Sequence, residues 1–152
     1  MVTVRRKELI EVKLDAHCPT MSLTEVRVRG HSLVVDEPPY RHGTDVGPTP
    51  LETMLAALMS CTHVIGARIA HERGVAMTFK AMSCTGYLDH RGIDKEADVP
   101  VPFPKIEMAI TVATDLDAAA FESFKTELEA RCPMSVILRQ AGTTIEQTWT
   151  LA

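Results

Sequence analysis

The sequence carries no excess of basic residues. Lys and Arg number 16 against 20 Asp and Glu, for a net charge of −4. That balance argues against a nucleic-acid surface or an anionic membrane as partner. No Cys-x-x-Cys occurs, because the four cysteines stand singly at Cys18, Cys61, Cys84 and Cys132. His17 adjoins Cys18 and His63 lies two residues after Cys61, and neither spacing fits a compact zinc site, so no metal and no cofactor are expected. The opening "MVTVRRKELIEVKL" has charges but no continuous apolar h-region, so it does not read as a secretory signal. No apolar run is expected to reach membrane-spanning length. Internal repeats and low-complexity tracts are absent as well. These absences point to a cytoplasmic protein. In that reducing compartment a cysteine pair is expected to be catalytic or redox-sensing, not a structural disulfide.

The 152 residues, 45% hydrophobic and 24% charged, are read as one domain over 1–152 that buries a core without disulfide staples. "VTVRRKELIEVKL" and "LTEVRVRGHSLVVDEP" alternate apolar and polar residues and predict strands, with a turn at Gly30. "DEPPYRHGTDVGPTP" is rich in Pro, Gly and Asp and predicts a loop. A long helix follows from Pro50. Thr49 suits its N-cap, Pro50 its first position, and Glu52 completes a Thr-x-x-Glu capping box. Leu51, Leu55, Leu58, Thr62 and Ile65 share a stripe, and the many small residues around it predict burial on most sides. Gly74 is a natural stop. A strand, a Pro-rich loop and a second strand come next. "DLDAAAFESFKTELEARC" predicts an amphipathic helix with Phe121, Phe124 and Leu128 inward. A short helix follows from Pro133, bounded by Gly142, and "TTIEQTWTL" closes as a strand. This order is α+β, not the regular alternation of a parallel sheet.

The cysteines differ in setting. Cys132 precedes Pro133, so it stands at a helix N-cap, where free N–H groups and the helix dipole favour a thiolate. Cys61 lies mid-helix among apolar neighbours, where a thiol either packs as a small hydrophobe or, if it is to ionise, needs a cation close by. Cys18, in a loop, and Cys84, in a strand, are read as structural. A Cys61–His63 hydrolase pair is not expected, because residues i and i+2 point about 200° apart on a helix.

"GPTPLETMLAALMSC", followed about seventy residues later by "CPMSVIL", resembles the osmotically inducible protein C and organic hydroperoxide resistance family (OsmC/Ohr). The likeness extends to "VRGHSLVVDEP" and to the order of strands and helices. It implies an intertwined homodimer in which antiparallel sheets wrap long central helices. It also implies a thiol peroxidase acting on organic hydroperoxides. Carried over by position, Cys61 is the peroxidatic thiol and Cys132 the resolving thiol, and a dithiol, lipoyl-type in some members, is the reductant. Arg41, nine residues before Pro50, matches the arginine of one branch, and Arg29 is the nearest candidate for that of another.

The chain departs from the family's peroxidases at one position. They carry a glutamate directly after the helix-start proline, whereas here Leu51 stands there and Glu52 comes one place later. One residue turns a helix by about 100°. Glu52 and Cys61 are also separated by about 13 Å of helical rise, so a partner chain across a two-fold axis is the expected donor if Glu52 or Arg41 serves Cys61. The alternative reading is a non-catalytic protein of the same fold that binds a small apolar ligand or senses redox state. Leu51 favours that reading, whereas retention of both Cys61 and Cys132 favours the peroxidase.

Overall fold

The computed structural model describes residues 8–152. The backbone divides into two compact units, Met1–Thr53 and Met54–Ala152. In the first unit, β1 (Asp15–His17), β2 (Thr24–Val28) and β3 (His31–Val35) form an antiparallel sheet in chain order. Along β2, Thr24, Val26 and Val28 turn inward while Glu25 and Arg27 face solvent, which is the strand period of two. The β2–β3 hairpin turns at Arg29 and Gly30, and the residue with positive φ is Arg29 (57°).

The N-terminal strand expected over "VTVRRKELIEVKL" needs correction. Residues 2–7 of that stretch lie outside the described residues. Residues 8–14 form no strand, and Leu9, Ile10, Val12 and Leu14 are exposed. Alternation supplies an apolar face, but a strand exists only where a neighbour takes up its backbone hydrogen bonds. Among the described residues, pairing starts only at Asp15.

The long helix α1 runs over Pro50–Arg73, with the boundaries that its caps imply. The capping box is formed: the Thr49 N–H donates to Glu52 Oε2 (2.7 Å) and the Glu52 N–H to Thr49 Oγ1 (3.3 Å). At the far end Gly74 takes φ +67°, and the Val75 N–H returns to the Ala70 carbonyl at 3.0 Å. Leu58, Thr62, Gly66, Ile69 and Ala70 are buried and continue the expected stripe. Burial on most sides is not found. Ala56, Ser60, His63, Val64, Ala67 and Arg68 make a second, exposed face. Contrary to the sequence expectation, α1 is also long and apolar enough to cross a bilayer by length and composition. Its small residues raise the average apolarity without forming a long run of large ones, and only the stripe through Leu58, Thr62, Gly66, Ile69 and Ala70 is buried.

The second unit holds a three-stranded sheet ordered β4 (Met77–Tyr87), β5 (Lys105–Thr114), β6 (Thr144–Leu151). β4 and β5 pair antiparallel. β5 and β6 pair parallel, joined by a crossover through α2 (Ala118–Arg131) and α3 (Pro133–Gln140). On β5, Ile106, Met108, Ile110 and Val112 are each no more than 2% exposed and form the centre of the core. β4 carries a register shift between Phe79 and Ala81. The extra residue explains why its inward positions change from odd (Met77, Phe79) to even (Met82, Cys84, Gly86). The architecture is α+β.

Candidate thiol site

Cys61 sits on α1 one residue before buried Thr62, at the margin of the buried stripe, and is half-buried. Cys132 ends α2 and starts α3, with its N–H on the Leu128 carbonyl (2.9 Å) and its carbonyl taking the Val136 N–H (3.0 Å). It is 1% exposed. The two side chains are neighbours, with the Thr62 hydroxyl beside Cys132. Cys132 is thus the enclosed thiol, and Cys61 is the more accessible of the two.

Cys132 is the N-cap of α3 as expected, and what is corrected is the net preference for the thiolate expected at that position. The Ser135 N–H faces its sulfur and favours the thiolate, but no capping hydrogen bond is formed. Burial outweighs that amide and pushes the Cys132 thiol above its ordinary value, with the neighbouring Cys61 adding to the rise. Cys84, half-buried on β4, is also pushed up by burial. Cys18 is exposed, 4.0 Å from Thr24 Oγ1. The ring of His63 packs edge-on against Phe79 (centroids 5.2 Å apart) on the exposed face of α1.

Around the thiols the structure adds groups that the sequence reading did not single out. Ser135, from the Cys-Pro-x-Ser run, is 1% exposed, and its hydroxyl has no hydrogen-bond partner among the described residues. A chain of ion pairs ties the last turns of α1 to α2 just before Cys132. Arg73 donates to Glu127 (Nε, 3.0 Å), and Arg131 bridges Glu127 and Glu72 (2.6 Å to Glu72). Arg68 also holds Glu72 at 2.9 Å. Arg131 first, then Arg68, holds the Glu72 carboxyl down at about 2, and Arg131 and Arg73 lower Glu127. Since these carboxylates titrate lower when folded, their contribution is complete above the unfolded value of 4.5 and is lost as pH falls toward 2. Thermal melts across that interval are expected to show a falling midpoint, and Glu72→Gln is expected to flatten the fall. An unchanged slope in the variant would remove Glu72 from this account.

The first unit carries the other candidates. Arg41 ends a single 3-10 turn, Pro39–Arg41, and is exposed, with Nη1 3.5 Å from Glu37 and its guanidinium 5.7 Å from the Tyr40 ring centre. Glu52 is engaged in the capping box, and Thr49 lowers its carboxyl. Arg29 occupies the hairpin turn. The loop that presents Arg41 is organised by Asp36, which is fully buried. Its Oδ2 accepts from the Thr44 N–H (2.8 Å), the Thr44 hydroxyl (2.6 Å) and the Val46 N–H (3.4 Å). These bonds, led by the Thr44 hydroxyl, hold its carboxyl far below the usual range. A Cβ at Gly43 would overlap the Glu37 carbonyl, so only glycine permits this close return of the chain.

An open groove of about 380 Å³ lies between the exposed face of α1 and β4, bordered by Met59, Ser60, His63, Phe79, Lys80 and Met82. Neither Cys61 nor Cys132 borders it.

An α+β fold that brings together one thiol of a long helix and one at a helix–helix junction defines a class of paired-cysteine proteins. Residues 42–148 match the OsmC-like protein family, and the chain belongs to it. The fold is shared with the OsmC-like protein of Mycoplasma pneumoniae (17% identity, TM-score 0.77, covering 94% of this chain and 98% of that one). It is also shared with an organic hydroperoxide resistance protein OsmC of Legionella pneumophila (16%, TM-score 0.58, 96% and 99%). A third is the organic hydroperoxide resistance protein OhrB of Bacillus subtilis (15%, TM-score 0.56, 94% and 98%). No curated protein matches the chain.

Proposed function

We propose that this protein is a thiol-dependent peroxidase that reduces organic hydroperoxides in the cytoplasm. Cys61 is the peroxidatic thiol, Cys132 the resolving thiol, and a dithiol, lipoyl-type in character, returns the pair to the reduced state. The observation that carries the reading is the meeting of the Cys61 and Cys132 side chains, from helices that the sequence places about seventy residues apart. Membership of the family supports the substrate class. Arg41, supplied by the partner chain of the proposed homodimer, enters as the cation that favours the Cys61 thiolate. Glu52 enters through its capping box, as the group that holds the start of α1. Leu51, in the place of the family's glutamate, remains the feature that favours the ligand-binding alternative. The test is peroxide consumption with a lipoyl dithiol. Cumene or tert-butyl hydroperoxide is expected to be consumed faster than hydrogen peroxide, and consumption of none of the three would overturn the reading.

The working unit in this proposal is a homodimer. Exposed Leu9, Ile10, Val12 and Leu14, and Val64 at 60% exposure on the small-residue face of α1, offer apolar surface of the kind that association covers. Sedimentation at micromolar concentration is expected to give twice the chain mass, and a monomer would refute the dimer.

A further inference from the structure

A thiolate that attacks the terminal oxygen of a hydroperoxide expels an alkoxide, and an alkoxide leaves slowly unless a proton reaches it. The groups around Cys61 narrow the choice of donor within its unit. The Thr62 hydroxyl is committed to the Leu58 carbonyl (2.9 Å) and the Ser60 hydroxyl to that of Ala56 (2.9 Å). The His63 ring is turned to Phe79. The group that meets Cys61 is the Cys132 thiol, 1% exposed and held by the backbone bonds at the α2–α3 junction.

We propose that Cys132 has a second task before it resolves the intermediate: as general acid, it protonates the leaving alkoxide. The proposal rests on the peroxidase reading and deepens it. The Cys61 thiolate takes the hydroxyl oxygen of the hydroperoxide, the O–O bond breaks, and Cys61 becomes a sulfenic acid. The alkoxide takes the Cys132 proton and departs as the alcohol. The Cys132 thiolate so formed attacks the sulfenic sulfur, the S–S bond forms, and hydroxide leaves. The hydroperoxide is the oxidant throughout, and one thiolate, one thiol and one hydroperoxide yield one disulfide, one alcohol and one hydroxide.

The surroundings of Cys132 suit both halves of that task. Burial keeps the resting thiol protonated, so the proton is present when the alkoxide appears. Once the proton has gone, the Ser135 N–H at the start of α3 faces the new charge. Donating the proton also creates the nucleophile that the next step needs, at the place where it is needed.

The experiment is the rate of the first oxidation of Cys61, followed by stopped flow, in wild type, Cys132→Ser and Cys132→Ala. Two oxidants are compared: cumene hydroperoxide, whose alkoxide needs a proton, and peracetic acid, whose leaving carboxylate does not. Both variants are expected to slow with cumene hydroperoxide by about 100-fold, and to stay within about twofold of wild type with peracetic acid. Cys132→Ser, nearly isosteric, guards against a packing defect in the alanine variant. Equal slowing with both oxidants, or none with either, would overturn the general-acid role alone. A wild-type Cys61 that reacts with neither oxidant would overturn the proposed function and this role together.

Discussion

Cys61→Ser is expected to lower the consumption of organic hydroperoxide by about 10³-fold or more, to the level of the uncatalysed reaction. A serine hydroxyl has nearly the same shape, but it is not ionised near neutral pH and its oxygen is a poor nucleophile toward an O–O bond. The fold should survive the change, because Cys61 stands at the margin of the buried stripe and not at its centre. Cys132→Ser is expected to behave differently. It leaves Cys61 able to react but not to be recycled through a disulfide, so each chain consumes one equivalent quickly, spends a second only in over-oxidation, and does not turn over. The sulfenic acid, with no thiol beside it, proceeds to the sulfinic stage as peroxide accumulates. Mass spectrometry should find the wild-type protein joined at Cys61–Cys132 after peroxide treatment, and the Cys132 variant carrying added oxygen at Cys61. Full turnover in Cys132→Ser would remove Cys132 as the resolving thiol. Turnover in Cys61→Ser would remove the mechanism.

The sequence was most legible where structure is local. Thr49, Pro50, Glu52 and Gly74 are read within one turn of the residues they cap, and they bound α1 as expected. The alternation of β5 needs only its own residues. What depends on distant partners was not legible. The parallel pairing of β5 with β6 arises from the α2–α3 crossover, and no pattern inside either strand announces it. The stretch before Asp15 alternates as well as β5 does, yet residues 8–14 have no strand neighbour among the described residues. The thiols follow the same rule. Their pairing was implied by the family motifs, but which of them is enclosed depends on how α2 and α3 close over Cys132, and no motif reports that. Asp36 reads as one more charge in a loop until Thr44 and Val46 fold back upon it.

Phe124→Ala is expected to cost about 3–5 kcal/mol, the largest single stability loss in this set. Phe124 is fully buried, stacked on Phe121 (centroids 6.2 Å apart, planes 6° apart) and edge-on to Trp149 at 6.3 Å. Truncation removes the ring's buried surface and leaves a cavity that this rigid cluster is poorly placed to fill. Gly66 on α1 sets the position: a Cβ built there would lie 3.5 Å from the Phe124 ring and closer still to Phe79, so α1 and α2 approach closely at this point. Trp149, the one tryptophan, reports the change, and its emission should shift as the cluster loosens. The consequence reaches the thiols, because α2 carries Phe124 in its middle and ends at Cys132. With α2 less firmly seated on α1, Cys132 spends less time beside Cys61. The variant should therefore form the Cys61–Cys132 disulfide more slowly, while the first oxidation of Cys61 by peracid proceeds at its normal rate. A thermal shift corresponding to less than about 1 kcal/mol would refute the packing account. An unchanged rate of disulfide formation in a clearly destabilised variant would show that the ion pairs of Arg73 and Arg131 with Glu127 and Glu72 hold Cys132 in place without help from the aromatic core.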